Sequence, residues 1–267
     1  MTDDTMRRPS RWLRDLEVLR AIGELGALAS TQGALPLAPR GDGHGVLVLP
    51  GFMADDPSTW PLRVVLRRLG YHVRPWGLGR NLGPTPVVTR GIVRRLRGLH
   101  EQTGGRVTLV GMSLGGVFAR NVARNHPDLV RQVITLASPF ALPPDTTHRN
   151  LTHAAPLYRA LQPWHDPRAS ARPPDPAEEL QVPSTAIYTR TDGIVPWEAC
   201  VQPRGSRSES VEVWGSHVGL GHNPLSLAVV ADRLALPEDA WEPFHWGRLA
   251  PRHRRRSSRT PTRTAHP

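Results

Sequence analysis

Short apolar runs alternate with longer amphipathic stretches along most of this chain. Val46–Leu49, Tyr71–Pro75, Val107–Val110, Arg131–Leu136, Thr185–Thr189 and Ser210–Val213 read as strands. Between them, Pro61–Leu69, Val87–Gln102, Leu114–Asn125 and Pro224–Leu234 read as helices; in Val87–Gln102 the arginines take the exposed face. Strands separated by helices predict an α/β fold with a mostly parallel central sheet covered on both faces. In such sheets, ligands bind beyond the carboxyl ends of the strands.

Two segments depart from this rhythm. From Trp12 to Leu28, apolar residues recur at 12, 13, 16, 19, 22, 25 and 28 with charges between them, which predicts an amphipathic helix. Its apolar stripe is expected to pack against the domain or a partner subunit; the alternative is a helix lying on a membrane surface. Pro36–Gly45 is a Pro/Gly-rich linker. The second segment, Pro139–Pro183, carries ten prolines and one good helical patch, Ala154–Leu161. An irregular insertion of that length predicts a lid or cap over the sheet edge, with a solvated loop as the alternative. The breaks divide the chain into an N-terminal helix and linker (1–44), a core domain with the insertion 139–183 (45–236) and a C-terminal extension (237–267).

The chemistry gathers at strand ends. Gly111-Met112-Ser113-Leu114-Gly115 stands between an apolar run and a helix, the arrangement of a nucleophile elbow. Glycines 111, 115 and 116 relieve crowding at so sharp a turn. The helix start is aimed where negative charge would develop. A serine hydroxyl needs a base and an acid that orients it, in the chain order Ser, Asp/Glu, His. Asp192 follows the strand ending at Thr189, and His217 follows the one ending at Val213. His222, five residues on, is the rival base, and Asp192 could also be a turn cap before Gly193. For the oxyanion, the Leu114 N–H is one expected donor. The second comes from the loop Gly51-Phe52-Met53, with Phe52 the candidate and Met53 the runner-up. Phe140, Leu142, Trp164 and Trp197 are candidates for an acyl pocket, with ordinary packing as the competing reading.

Bulk properties narrow the classes. The 267 residues suit one large domain, and the lone Cys200 excludes an intrachain disulfide and Cys-rich zinc sites. No cofactor or metal is expected. There is no apolar run of about 18 residues and no secretory leader, so the expected location is cytoplasmic. The net charge is +11, and every basic side chain is arginine. Six arginines, 252, 254, 255, 256, 259 and 263, lie in residues 251–267 with no acid beside them. That tail is expected to be disordered and suits weak attraction to an anionic membrane surface. Nucleic acid is not an expected partner, since the tail has no aromatic residue for stacking bases. A non-enzymatic anionic-surface binder is the rival class; the oligomeric state is not read.

Taken together, Val46–Phe52, the Ser113 elbow, Ile187–Val195 and His217–Leu220 resemble the α/β-hydrolase superfamily, and within it the small bacterial serine esterases and lipases. The resemblance covers roughly residues 45–236. It implies hydrolysis of a small-molecule or lipid carboxylic ester through an acyl-enzyme, carried by Ser113, Asp192 and His217. An acyltransferase would share every one of these residues. Pro50 and Met112 stand where many lipases carry histidine, and Ser113 argues against relatives that use an aspartate nucleophile.

Overall fold

The computed structural model describes residues 6–31, 33, 38–142, 151–167 and 178–249. Six strands form one sheet: β1 (Gly45–Leu49), β2 (His72–Pro75), β3 (Val107–Met112), β4 (Val130–Leu136), β5 (Ser184–Tyr188) and β6 (Ser208–Glu212). All neighbours pair parallel in the order β2-β1-β3-β4-β5-β6. β1 is buried along its whole length because its alternate side chains feed two cores. Val46 and Val48 pack with Leu62 and Leu66 of helix α3 (Trp60–Arg68) and Val230 of the last helix, α7 (Pro224–Leu234). Leu47 and Leu49 face Ile92 and Leu96 of α4 (Pro86–Thr103) and Phe118 of α5 (Leu114–Asn125).

Local chemistry sets the helix ends. α4 begins where the Thr85 hydroxyl accepts from the Val88 N–H ahead of Pro86, and it stops at Gly104 with φ 68°. α7 begins where the Asn223 side chain accepts from the N–H groups of Leu225 and Ser226, again with proline at the first position. β1 has β2 on one side and β3 on the other, so the direction of winding reverses there. That reversal opens a crevice between the carboxyl ends of β1 and β3.

The insertion after β4 contains α6 (Ala155–Leu161) and a 3₁₀ turn, Gln162–Trp164; residues 143–150 and 168–177 lie outside the described part. Tyr158 of α6 meets the Phe52 ring edge-on at 5.4 Å. A His165 ring nitrogen lies 3.0 Å from the Leu82 carbonyl, the Asp166 N–H donates to Pro84 O at 2.8 Å, and the His153 N–H donates to Ile194 O at 3.0 Å. Those partners sit in the loops after β1, β2 and β5, so the described insertion spans the carboxyl edge of the sheet.

At the N-terminus the expected single helix is two: α1 (Arg11–Asp15) and α2 (Glu17–Thr31), broken at Leu16. The larger correction concerns its orientation. The apolar stripe turns inward only in part: Leu28 joins the core and Leu13 and Leu16 are half-buried, while Trp12, Leu19, Ile22 and Leu25 face outward. α2 buries Glu17, Ala21 and Leu28, half-buries Arg20 and Glu24, and leaves Val18, Leu19, Ile22 and Leu25 exposed. The reason is the hydrogen bonding its polar row finds beside the loops after β5 and β6. The arginine-rich tail, 251–267, lies outside the described residues.

Candidate active site

Ser113 sits between β3 and α5 with φ 48° and ψ −122°, a conformation rare for a residue with a side chain. The crowding that holds it there is specific. A Cβ at Gly115 would come 2.5 Å from Leu49 O, one at Gly111 would strike the Gly116 backbone, and one at Gly116 would strike the Ser138 hydroxyl. The turn lifts the Ser113 Oγ to 3.0 Å from His217 Nε2, and His217 Nδ1 lies 2.7 Å from Asp192 Oδ2. The other Asp192 oxygen accepts from the N–H groups of Ile194 and Val195, each at 2.8 Å, which fixes the carboxylate from behind. Asp192 and His217 are both buried. Burial presses the His217 pKa down, but the adjacent Asp192 carboxylate, and then Glu17, outweigh it and leave the pKa above the usual 6.5. His222 faces elsewhere, its Nε2 lying 2.8 Å from the Ala21 carbonyl.

The loop after β1 lies beside the elbow, since Leu49 pairs with Gly111 in the sheet. Within it the Met53 N–H donates to Asn81 O at 2.7 Å and is thereby occupied. Among the described residues, the N–H groups of Phe52 and of Leu114, the first residue of α5, have no backbone acceptor. Asn81 is the keystone of this loop. Fully buried, it donates from Nδ2 to Pro50 O at 2.8 Å while its own carbonyl takes the Met53 N–H. Sequence reasoning missed it, because a lone asparagine between glycines carries no spacing signal.

Two further carboxylates were also missed. Glu17 Oε1 accepts from the N–H groups of Gly193 at 2.7 Å and His217 at 3.3 Å, and Oε2 accepts from Val218 at 3.2 Å. Glu24 takes the Ser216 N–H at 2.7 Å and the Asn223 side-chain amide at 3.1 Å. Arg20 pairs with Glu17 at 2.7 Å and donates to the Thr191 carbonyl at 2.9 Å. α2 thus ties the Asp192 loop to the His217 loop. Leaving those buried N–H groups unpaired would cost about 1–3 kcal/mol each, more than exposing a few apolar side chains already free in the unfolded chain. Gly193 marks the closeness of the approach: a Cβ there would sit 2.6 Å from the Leu13 carbonyl.

The four pocket candidates differ in their surroundings. Phe140 lies under the Arg120 guanidinium at 4.0 Å, and Trp197 stacks on Tyr188 and carries the Arg190 guanidinium over its ring at 4.7 Å. Leu142 is half-buried, and Trp164 is exposed. A cavity of about 380 Å³ beside Arg74, Arg94 and Arg95 lies between β2 and α4 and includes none of Ser113, Asp192 and His217. Among the described residues no group of three or more His, Cys, Asp or Glu side chains could hold a metal ion.

The family profile described as the PGAP1-like alpha/beta domain matches residues 88–173, less than half of the chain but including the Ser113 elbow. No curated protein matches. Among solved structures, a pyrethroid hydrolase is 19% identical with a TM-score of 0.52, covering 74% of this chain and 99% of its own. An alpha/beta hydrolase from a Moroccan lagoon-sediment metagenome is 16% identical with a TM-score of 0.50, covering 72% and 91%. Lipase B of Aspergillus fumigatus is 15% identical with a TM-score of 0.51, covering 74% of this chain; the match spans 54% of that larger lipase. At such identities the likeness speaks for architecture, and with the parallel sheet and the strand–Ser113–helix turn it makes this chain an α/β-hydrolase in fold.

Proposed function

We propose that the protein is a serine hydrolase of carboxylic esters. The observation that carries this reading is the unbroken hydrogen-bonded chain from Ser113 Oγ through His217 to Asp192, with 3.0 Å and 2.7 Å links. His217 takes the Ser113 proton as the oxygen attacks the ester carbonyl, and Asp192 holds the imidazole in the tautomer that can do so. The N–H groups of Phe52 and Leu114 receive the oxyanion, assisted by the positive end of α5. His217 returns the proton to the leaving alcohol. Water, deprotonated by the same imidazole, then releases the acid from Ser113. Every proton moved has a named carrier, so the cycle needs no cofactor. Fluorophosphonate labelling of the purified protein tests the reading: wild type should be labelled at Ser113 and Ser113→Ala should not. Equal labelling of the two would overturn it.

A further inference from the structure

We infer that the outward face of α1 and α2, with Trp214 of the base loop, is a docking surface for an anionic lipid bilayer. Trp12 is 72% exposed, Val18 67%, Leu19 66%, Ile22 62%, Leu25 46% and Trp214 74%. Apolar residues scattered singly over a surface are ordinary; a row along one face of a helix is not. The helix does not lack an anchor, since its polar row is fully engaged by the Asp192 and His217 loops. The apolar row is therefore left for something outside the described fold.

Composition and charge select the occupant. The rest of this chain has little to offer: outside the described residues, 143–150, 168–177 and 250–267 contain no large aliphatic or aromatic side chain, and 1–5, 32 and 34–37 supply only Met1, Leu35 and Leu37. A second copy is disfavoured electrostatically. Residues 6–31 expose Arg7, Arg8, Arg11 and Arg14 against the single exposed acid Asp15, because Glu17 and Glu24 are turned inward. Pairing two such faces would set arginine against arginine on chains that each carry +11. Anionic headgroups instead answer the arginines while the acyl boundary receives the apolar row. Tryptophan and aliphatic residues flanked by arginine are the pattern of a helix lying in a membrane interface. Among the described residues no helix is long and apolar enough to cross a membrane, so the contact is peripheral. Docking by this face would hold the triad about one helix diameter, roughly 10 Å, from the headgroups.

The test is sedimentation of the full-length protein with phosphatidylcholine vesicles containing phosphatidylglycerol, against pure phosphatidylcholine vesicles. The anionic vesicles should retain the protein better, and Leu19→Glu/Ile22→Glu should weaken that binding at least about tenfold by removing two inserted side chains. Unchanged far-UV circular dichroism and soluble-ester turnover in the variant would show an intact fold. Sedimentation does not read turnover, so it stands or falls separately from the hydrolase reading. Three results would overturn the inference: no binding by wild type; equal binding by the variant, which would assign the attraction to arginines alone; or a wild-type dimer that the variant dissolves, which would make the occupant a second copy.

Discussion

Helices α5 and α2 both serve the Ser113–His217 pair, and they are built in opposite ways. α5 buries Phe118, Ala119, Val122 and Ala123 against the sheet and presents its N-terminus to Ser113. α2 turns the hydrogen-bonding carboxylates of Glu17 and Glu24 inward and leaves its aliphatic row in solvent. At α5 the elbow serine, Ser113, and the three glycines that make room for its turn lie within six residues of sequence, from Gly111 to Gly116. In α2 the supporting side chain and the loops it supports are separated by 176 to 201 residues. An amphipathic pattern reports that a helix has two faces. Which face goes inward depends on what the neighbouring surface lacks, and here it lacks hydrogen-bond acceptors.

Substitutions on the two helices' targets can break this comparison. The largest effect belongs to the elbow: Ser113→Ala and His217→Ala should each lower kcat on a soluble ester on the order of 10⁴-fold or more. His222→Ala should do far less, because its ring faces the Ala21 carbonyl. Near-equal losses for the two histidine variants would mean that the hydrogen-bonded chain is not the working one.

The next effect belongs to α2. Glu17→Ala leaves the N–H groups of Gly193, His217 and Val218 without their acceptor and should cost about 2–4 kcal/mol in a urea melt. Glu17→Gln keeps one acceptor oxygen and should cost less, with kcat down roughly tenfold and KM little changed, as expected when a base is loosened while substrate binding stays intact. A Glu17→Gln enzyme with wild-type kcat would reduce α2 to a passive strap.

The pH dependence sharpens the same point. As the proposed base His217 must be neutral, and its pKa lies above 6.5 through Asp192 and Glu17. Activity should therefore rise with pH through that raised value, and the acid limb should move to lower pH in Glu17→Gln. Stability runs the other way. The raised pKa gives a stabilising contribution fully present below the unfolded value and lost as pH climbs through the folded one. Thermal melts across the same window would show it, and an acid limb unmoved by Glu17→Gln would remove the charge from the explanation. The smallest effect is on the exposed row: Ile22→Ser should shift stability by no more than about 0.5 kcal/mol and leave soluble-ester turnover alone.

Much of this molecule can be read from its sequence, for a physical reason that also marks the limit. All six strands and the helices that flank them announce themselves by local periodicity, and α5 and α7 carry their expected bounds, Leu114–Asn125 and Pro224–Leu234. Asp192 and His217 stand out because they follow strands whose ends must share one edge. Asn81, Glu17 and Glu24 do not stand out, because each acts on the backbone of a remote loop. Nearly every position offers a backbone N–H or carbonyl, so nothing in the spacing records the bond. The inward polar row of α2 escapes notice for the same reason.

The reach of α2 also sets an order of events during synthesis. Its partners, Gly193 through Val218, are made 176 to 201 residues after Glu17. At about 5–20 residues per second, that is a wait of roughly 10–40 s. Helix α2 is translated early and finds its hydrogen bonds late, and until then the two loops that carry Asp192 and His217 have nothing from α2 tying them together. A nascent chain halted before residue 193 has its elbow and Glu17 but lacks the Gly193 N–H that Glu17 holds and the whole His217 loop. The hydrogen-bonded chain from Ser113 through His217 to Asp192 can close only after those late-made loops exist.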